Sequence, residues 1–325
     1  MKNLYLVFIC PLLISLVNCA KELPIIDTST EIVQFPDLNH DEPYSFGETY
    51  NGRNNYITYI PGNIPMLLSI PHGGSINPDE IPDRSYGTYV TDSNTIELGL
   101  SISNHFFQKF DVRPYLVINN LDRIKLDANR DKSEAAQGNV FAERSFDEFH
   151  NYIRIARDEI ESKFGFGILF DIHGHGVNPD GFSDLRTWIG YLISSEDLDN
   201  SDEYINQNLN VIDTSIYSLF NASKHDLVSI IRGAESLGSF FEQYNYTALP
   251  SPESKSPMGM RYFTGGYNTF FYGTDQNYNF SAIQLEFPYP GLRDSSNSRE
   301  EFAAAFVELT QKYYLIHLGI DLFSL

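Results

Sequence analysis

Three residues that could do acid–base or metal chemistry stand at every second position in the stretch LFDIHGHG: Asp171, His173 and His175. That period belongs to a β-strand, so all three side chains project from one face. A second histidine, His72, follows another short apolar run in SIPHGG, beside Gly73 and Gly74, where the backbone can approach closely. Two neutral imidazoles and one carboxylate make a zinc-hydrolase donor set that leaves one coordination position for water. Glu97 and Asp92 are the candidate carboxylates. Asp171 alternates with His173 and could orient an imidazole from behind. For His175 the choices of ligand, proton donor and bystander stay open.

Two further stretches carry charge where an apolar neighbourhood makes it costly. NNLDRIKLDANRD, Asn119–Asp131, follows an apolar run. In it Arg130 offers a planar fork for a carboxylate, Asn129 adds donors, and Arg123 could stabilise a developing oxyanion. Glu286 lies in IQLEFPYP, late in a strand pattern. A lone buried carboxylate needs a reason, either a salt bridge or work as a general base.

The elements that must position these residues are legible from periodicity. Apolar runs ending at His72, near Asn120, at Ile172, near Ser194 and at Glu286 predict central strands. Between them, 91–110 has helical spacing with Asp92 as N-cap. A capping box from Ser145 to Glu148 opens a helix ending at Gly165, and a second from Ser298 to Glu301 opens the closing helix. Residues 202–245 read as mainly helical, and 246–260 as a long Pro/Ser loop over a lid or specificity region. Alternating strands and helices predict a three-layer α/β fold, its mostly parallel or mixed central sheet covered by helices on both faces. Ligands in such folds collect beyond the C-terminal strand ends, at or near which His72, the Asp122–Asp131 region, His173 and Glu286 fall.

Composition bounds the function class. The 325 residues are 42% apolar and carry a formal charge of -21. That surface repels phosphate backbones and anionic membranes, which argues against nucleic acid as a partner. Lys2 followed by the 14-residue apolar run Leu4–Val17 and then VNCA predicts a cleaved signal peptide over residues 1–20. One domain, 21–325, follows; its charge is -22, because the leader holds one lysine and no acid. Both cysteines, Cys10 and Cys19, lie in the leader, so thiol chemistry and cysteine-ligated metal are excluded from the mature chain. Three sequons, at Asn221, Asn245 and Asn279, fit a glycoprotein of the secretory route. The reading is therefore a secreted, extracellular protein with no membrane attachment after cleavage.

Five motifs in order, SIPHGG, NLDRIKLDANRD, FDIHGHG, FTGGYNTFFYG and SAIQLEFP, resemble those of the N-formylglutamate amidohydrolase family across about residues 65–310. The resemblance implies a phosphorylase/hydrolase-like fold akin to zinc carboxypeptidases, and zinc-dependent amide hydrolysis. It implies zinc ligands at His72 and His173, with Glu97 preferred as the third and Asp92 second. It implies Glu286 as general base, Arg123 at the oxyanion, and Asn129 and Arg130 as contacts to a small anionic N-acyl amino acid or peptide substrate. Gly73 and Gly174 stand where that family carries serine. The competing class is a secreted binding protein on the same scaffold without turnover. A metal-free serine esterase ranks below both, since no Gly-x-Ser-x-Gly elbow is present.

Overall fold

The strand Gly167–His175 divides its side chains between two cores. Ile168, Phe170 and Ile172 enter one apolar cluster and Leu169 enters another. From Asp171 onward the second face turns polar, so one strand supplies core at its base and chemistry at its tip. The strand Phe280–Pro288 repeats the plan: Ile283, Leu285 and Phe287 join the first cluster, Phe280 and Ala282 the second, and Gln284 and Glu286 follow on the polar face.

The computed structural model describes residues 33–38, 43–176 and 184–325. The leader expected over 1–20 lies outside them. The chain divides into two compact units, Met1–Gln34 and Phe35–Leu325; every element below belongs to the second. Its strands are β1 (Tyr50–Asn51), β2 (Ile57–Ile60), β3 (Met66–Ile70), β4 (Tyr115–Asn119), β5 (Gly167–His175), β6 (Thr187–Gly190), β7 (Ala248–Leu249) and β8 (Phe280–Pro288). They form one sheet in the order β1-β2-β4-β3-β5-β8-β6-β7. The central strands β4, β3, β5 and β8 run parallel, while β2 and β6 lie antiparallel to β4 and β8. The sheet is thus mixed, as expected.

The helices are α1 (Thr95–Phe110), α2 (Lys132–Ala136), α3 (Val140–Phe164), α4 (Ser195–Leu198), α5 (Asp202–Asn208), α6 (Tyr217–Ala222), α7 (Leu227–Ile231), α8 (Leu237–Gln243), α9 (Tyr267–Gly273) and α10 (Ser296–Leu318). α1, α8 and α10 pack their apolar faces into the cluster that holds Phe170 and Leu285; α3 packs into the one that holds Leu169 and Ala282. Both faces of the sheet are therefore covered, giving three layers. No helix among the described residues is long and apolar enough to cross a membrane.

Connectivity places the site. From β3 the chain crosses through α1 to β4, on one side; from β4 it returns through α3, past β3, to β5 on the other. The strand order therefore reverses between β3 and β5, and a crevice opens beyond their C-terminal ends. His72 follows β3 and His173 lies near the end of β5.

Besides α1, which starts after Asn94 and not at Asp92, two helix starts differ from the sequence reading. α3 begins at Val140, capped by the Asn139 side chain accepting from the amides of Phe141 and Ala142, and Ser145 lies inside it, its hydroxyl donating to Phe141 O. α10 is capped by Ser295, which accepts from Ser298 N. In both, a nearer cap upstream captures the free amides first, since only the first turn has any to offer.

Candidate metal centre

The loop after β3 carries His72 into the crevice. Asn119 Nδ2, at the tip of β4, donates to Pro71 O (2.8 Å) and fixes this loop. The Asp92 amide then donates to His72 O (2.9 Å), folding the segment ahead of α1 back over the histidine. The result is a buried group of His72, Asp92 and His173 whose donor atoms could hold a metal ion. His72 Nδ1 and His173 Nδ1 stand 3.1 Å apart, and Asp92 Oδ2 lies 3.5 Å from the first and 3.2 Å from the second. Gly174 N donates to the same Asp92 oxygen (3.2 Å).

What the imidazoles do on their far sides decides what they offer at the centre. His72 Nε2 donates to Asp127 Oδ1 (2.6 Å), and Asp127 Oδ2 accepts from Arg123 Nε (3.0 Å) and Nη2 (2.9 Å). His173 Nε2 donates to Asp171 Oδ2 (2.8 Å), while Asp171 Oδ1 accepts from the Ser69 hydroxyl and from Asn268 Nδ2 (3.2 Å). Each ring therefore keeps its proton on Nε2 and presents a lone pair at Nδ1, the arrangement that outer carboxylates impose on metal-ligating histidines. Two lone pairs and a carboxylate oxygen crowded together repel unless a cation joins them. Donors around a tetrahedral ion with bonds of about 2.0–2.1 Å stand about 3.3–3.4 Å apart. The observed 3.1–3.5 Å spacing fits.

The local field points the same way. Burial opposes charge on His173, yet the carboxylates of Asp171, Asp92 and Glu286 outweigh it and push its pKa up to about 10. Burial likewise works against charge on Asp92 and Asp127, but the facing histidines hold both carboxyls well below the usual carboxylate range. The crevice thus favours positive charge where the three donors meet.

Glu286 is the register partner of His173 on β8 and of Trp188 on β6, and adjacent strands project register partners to the same face. Gln284 Nε2 donates to its Oε1 (2.9 Å). Burial holds this carboxyl above the ordinary range, with Asp92 adding to the effect against the pull of the histidines. A carboxylate at such a place is suited to taking up and releasing a proton.

The other predicted residues fall differently. Glu97 is exposed on the first turn of α1 and takes no part in the group, because Leu98, Ile102 and Phe106 turn inward and carry it outward. The carboxylate in reach is Asp92, and it is not a helix cap, since α1 starts after Asn94. Arg123 is buried, with Nε and Nη2 on Asp127, Nη1 on Val90 O (3.1 Å), and Nη1 also 3.9 Å from Asp92 Oδ1. Asn129 sits behind the His173 ring, its Nδ2 3.1 Å from Nε2, and its Oδ1 accepts from Asn268 N (2.7 Å) at the start of α9. A Cβ on Gly266 would meet that amide at 2.3 Å, which accounts for glycine there. Arg130 is half-buried and pairs with Glu134 (3.2 Å). His175 donates from Nε2 to Arg186 O (2.9 Å) and stacks on Trp188 at 4.1 Å, away from the donor group.

Sequence reasoning gave no role to Asp127, Ser69 or Asn268. Asp127 had a readable signal, standing four residues after Arg123 and two before Asn129. Ser69 and Asn268 are ordinary polar residues until β3 and α9 bring them to Asp171.

No protein-family model matches the sequence, and no curated protein matches it either. Solved structures do. N-formylglutamate amidohydrolase from Ralstonia eutropha JMP134 superposes with a TM-score of 0.51 at 11% identity, covering 81% of this chain and 99% of that one. A gene product of Agrobacterium tumefaciens covers 79% and 94% at 14% identity, with a TM-score of 0.47. The catalytic domain of an N-acetylmuramoyl-L-alanine amidase from Bacillus (Paenibacillus) polymyxa var. colistinus covers 78% and 99% at 8% identity, with a TM-score of 0.36. The first of these shares its fold with this chain.

Proposed function

We propose that this protein is a secreted, zinc-dependent hydrolase of amide bonds, acting on a small anionic N-acyl amino acid or a peptide C-terminus. One observation carries the reading: two carboxylate-backed imidazoles aim their Nδ1 atoms at each other and at Asp92 within 3.5 Å. The shared fold with an N-formylglutamate amidohydrolase supports it.

His72, Asp92 and His173 would hold the ion. When bound, a divalent zinc polarises a carbonyl and brings the pKa of water to about 7. The chain's own groups do the rest. Asp127 and Asp171 keep both imidazoles in the Nε2–H form and fix their planes. Glu286 takes a proton from the attacking water and returns it to the departing nitrogen, which its raised pKa favours. Arg123 holds Asp127 in place. Arg130, half-buried with Nε on Glu134 and Nη1 on Asn129 O, would bind a substrate carboxylate with its remaining donors. Secretion accords with the exposure of all three sequon asparagines, Asn221, Asn245 and Asn279.

The test joins metal analysis with turnover. Purified protein should carry about one zinc, and N-acyl amino acids screened with and without chelator should show chelator-sensitive hydrolysis. Glu286→Gln should keep the metal and lose about 100-fold or more in kcat. Full turnover in that variant removes Glu286 from the chemistry, and protein that takes up no metal removes the whole reading in favour of a binding protein on the same scaffold.

A further inference from the structure

Arg293 lies in the turn Tyr289–Arg293 between β8 and α10, with its side chain inside the protein. Among the described residues this guanidinium forms no ion pair within 4.0 Å. Its donors go to three backbone carbonyls: Phe287 O from Nε (3.1 Å), His175 O from Nη2 (2.7 Å) and Ser93 O from Nη1. These belong to three segments distant in sequence, and each adjoins a residue of the centre. Ser93 follows Asp92, Phe287 follows Glu286, and His175 stands two beyond His173. Burial works against the charge on Arg293, and the carboxylates of Asp92 and Glu286 act to support it. A buried guanidinium whose hydrogen bonds all go to carbonyls, with only the Tyr289 ring 5.5 Å away beside it, is costly to keep, and a positional role accounts for it.

Gly174 supports this independently. A Cβ there would stand 2.2 Å from Arg293 Cζ and 2.4 Å from Nη2. The glycine is needed for room, since the guanidinium fills the place where a side chain on β5 would lie. Arg293 is itself held from outside: Asn94 Nδ2 (2.8 Å) and Arg299 Nη1 (2.9 Å) donate to its carbonyl.

We propose that Arg293 is a positioning residue, tying the Asp92 loop, the end of β5 and the end of β8 to one planar cation and so setting the spacing of Asp92, His173 and Glu286. Gly174 is glycine to admit it. The proposal rests on the metal-hydrolase reading for its consequence, and on the geometry alone for the clamp.

The experiment uses the full-length protein and zinc as the probe, with Arg293→Met, Arg293→Lys, Gly174→Ala and the double variant Gly174→Ala/Arg293→Met. Zinc affinity is read by chelator competition, and the ligand field by the visible spectrum of the cobalt-substituted protein. Arg293→Met should weaken zinc binding about 10- to 100-fold, as loss of an outer-shell partner does. It should also shift the cobalt bands, which loss of fold stability alone does not do. Lysine should restore part of the affinity, having the charge without the fork. Gly174→Ala should resemble Arg293→Met, and the double variant should be no worse than Arg293→Met, because both disable one clamp. Folded Arg293→Met with zinc affinity within about twofold of wild type overturns the proposal. If that variant does not fold, unchanged affinity in Gly174→Ala overturns it instead. If the wild type takes up no zinc, the hydrolase reading falls, and amide hydrogen exchange decides the clamp. Faster exchange around Ser93, Gly176 and Phe287 in Arg293→Met or Gly174→Ala supports it, and unchanged exchange ends it.

Discussion

Replacing Asp171 by asparagine removes one charge and changes almost no volume, so its cost can be worked from the hydrogen bonds. Asp171 accepts three: from His173 Nε2 at 2.8 Å, from the Ser69 hydroxyl, and from Asn268 Nδ2 at 3.2 Å. An asparagine offers one acceptor and one donor. If its oxygen faces His173, its amide hydrogens confront two donors, of which Ser69 can rotate away and the Asn268 amide cannot. If its amide faces His173, the ring must accept at Nε2 and carry its proton on Nδ1, which removes a lone pair from the centre. The first orientation leaves a buried donor without a partner, at about 1–3 kcal/mol of stability. The second weakens metal binding by about 10- to 100-fold. Chelator competition for zinc and a thermal melt, on one preparation, read both. Asp171→Asn must lose on at least one of them. A variant with wild-type Tm and wild-type zinc affinity would show that the Nε2–carboxylate bond does not set the tautomer, and the case for Nδ1 donors would fail with it.

Other consequences follow from the same geometry. Stripping zinc with a chelator should lower Tm by several degrees, since a ligand at about 100 times its Kd contributes about 2.7 kcal/mol; an unchanged Tm argues against a bound ion. Arg130→Met should raise KM for a carboxylate-bearing substrate with kcat little changed, and equal KM values would remove Arg130 from substrate binding. Burial holds His150, among Phe146, Phe149 and Tyr272, at a pKa of about 3, so the native state stays neutral while the unfolded chain takes a proton below about 6.5. The unfolded state then binds more protons between those values, and stability falls as pH drops through that window, by about 2 kcal/mol from this residue at pH 5. His150→Phe should flatten that acid limb in denaturant titrations at pH 7 and pH 5. A limb equally steep in the variant would assign the loss to other groups.

The strand alternation was legible because it is local. Asp171 and His173 read as one face in LFDIHGH, and β5 places them there. The mixed three-layer sheet was legible for the same reason. The third carboxylate was not. Helical spacing identifies α1 but does not say which way Glu97 points until Leu98 and Phe106 find the sheet. Nor does it say that the loop before the helix folds back through Asp92 N to His72 O. Arg123 read as a free cation because its captor, Asp127, stands only four residues on, in a motif first weighed for substrate contacts. Arg293 was one arginine in an unremarked turn, and its meaning comes from three carbonyls about 6, 118 and 200 residues away in sequence.

The charges around the crevice give a reason for all these placements to occur together. Four buried carboxylates, Asp92, Asp127, Asp171 and Glu286, face one another across a few side chains. Arg123 and Arg84 both lie against Asp127, and Arg293 lies beneath Asp92 and Glu286 without pairing to either. With both histidines neutral, three fixed cations against four acids leave one negative charge unmet, and the pull of these acids on His173 shows that the site draws in a positive charge to meet it. An uncompensated charge in a dry interior is expensive, and a protein resolves it with a proton or a metal ion. The point where the deficit is felt most is the triangle of His72 Nδ1, His173 Nδ1 and Asp92 Oδ2, because the same field that pushes the His173 pKa up to about 10 acts there. A divalent cation in that triangle turns the deficit into a single positive excess. Such an excess, lying beside Glu286, is what the proposed anionic substrate would meet. On the proposed reading, a bound cation would reverse at short range, inside the crevice, the repulsion that the acidic surface exerts at long range.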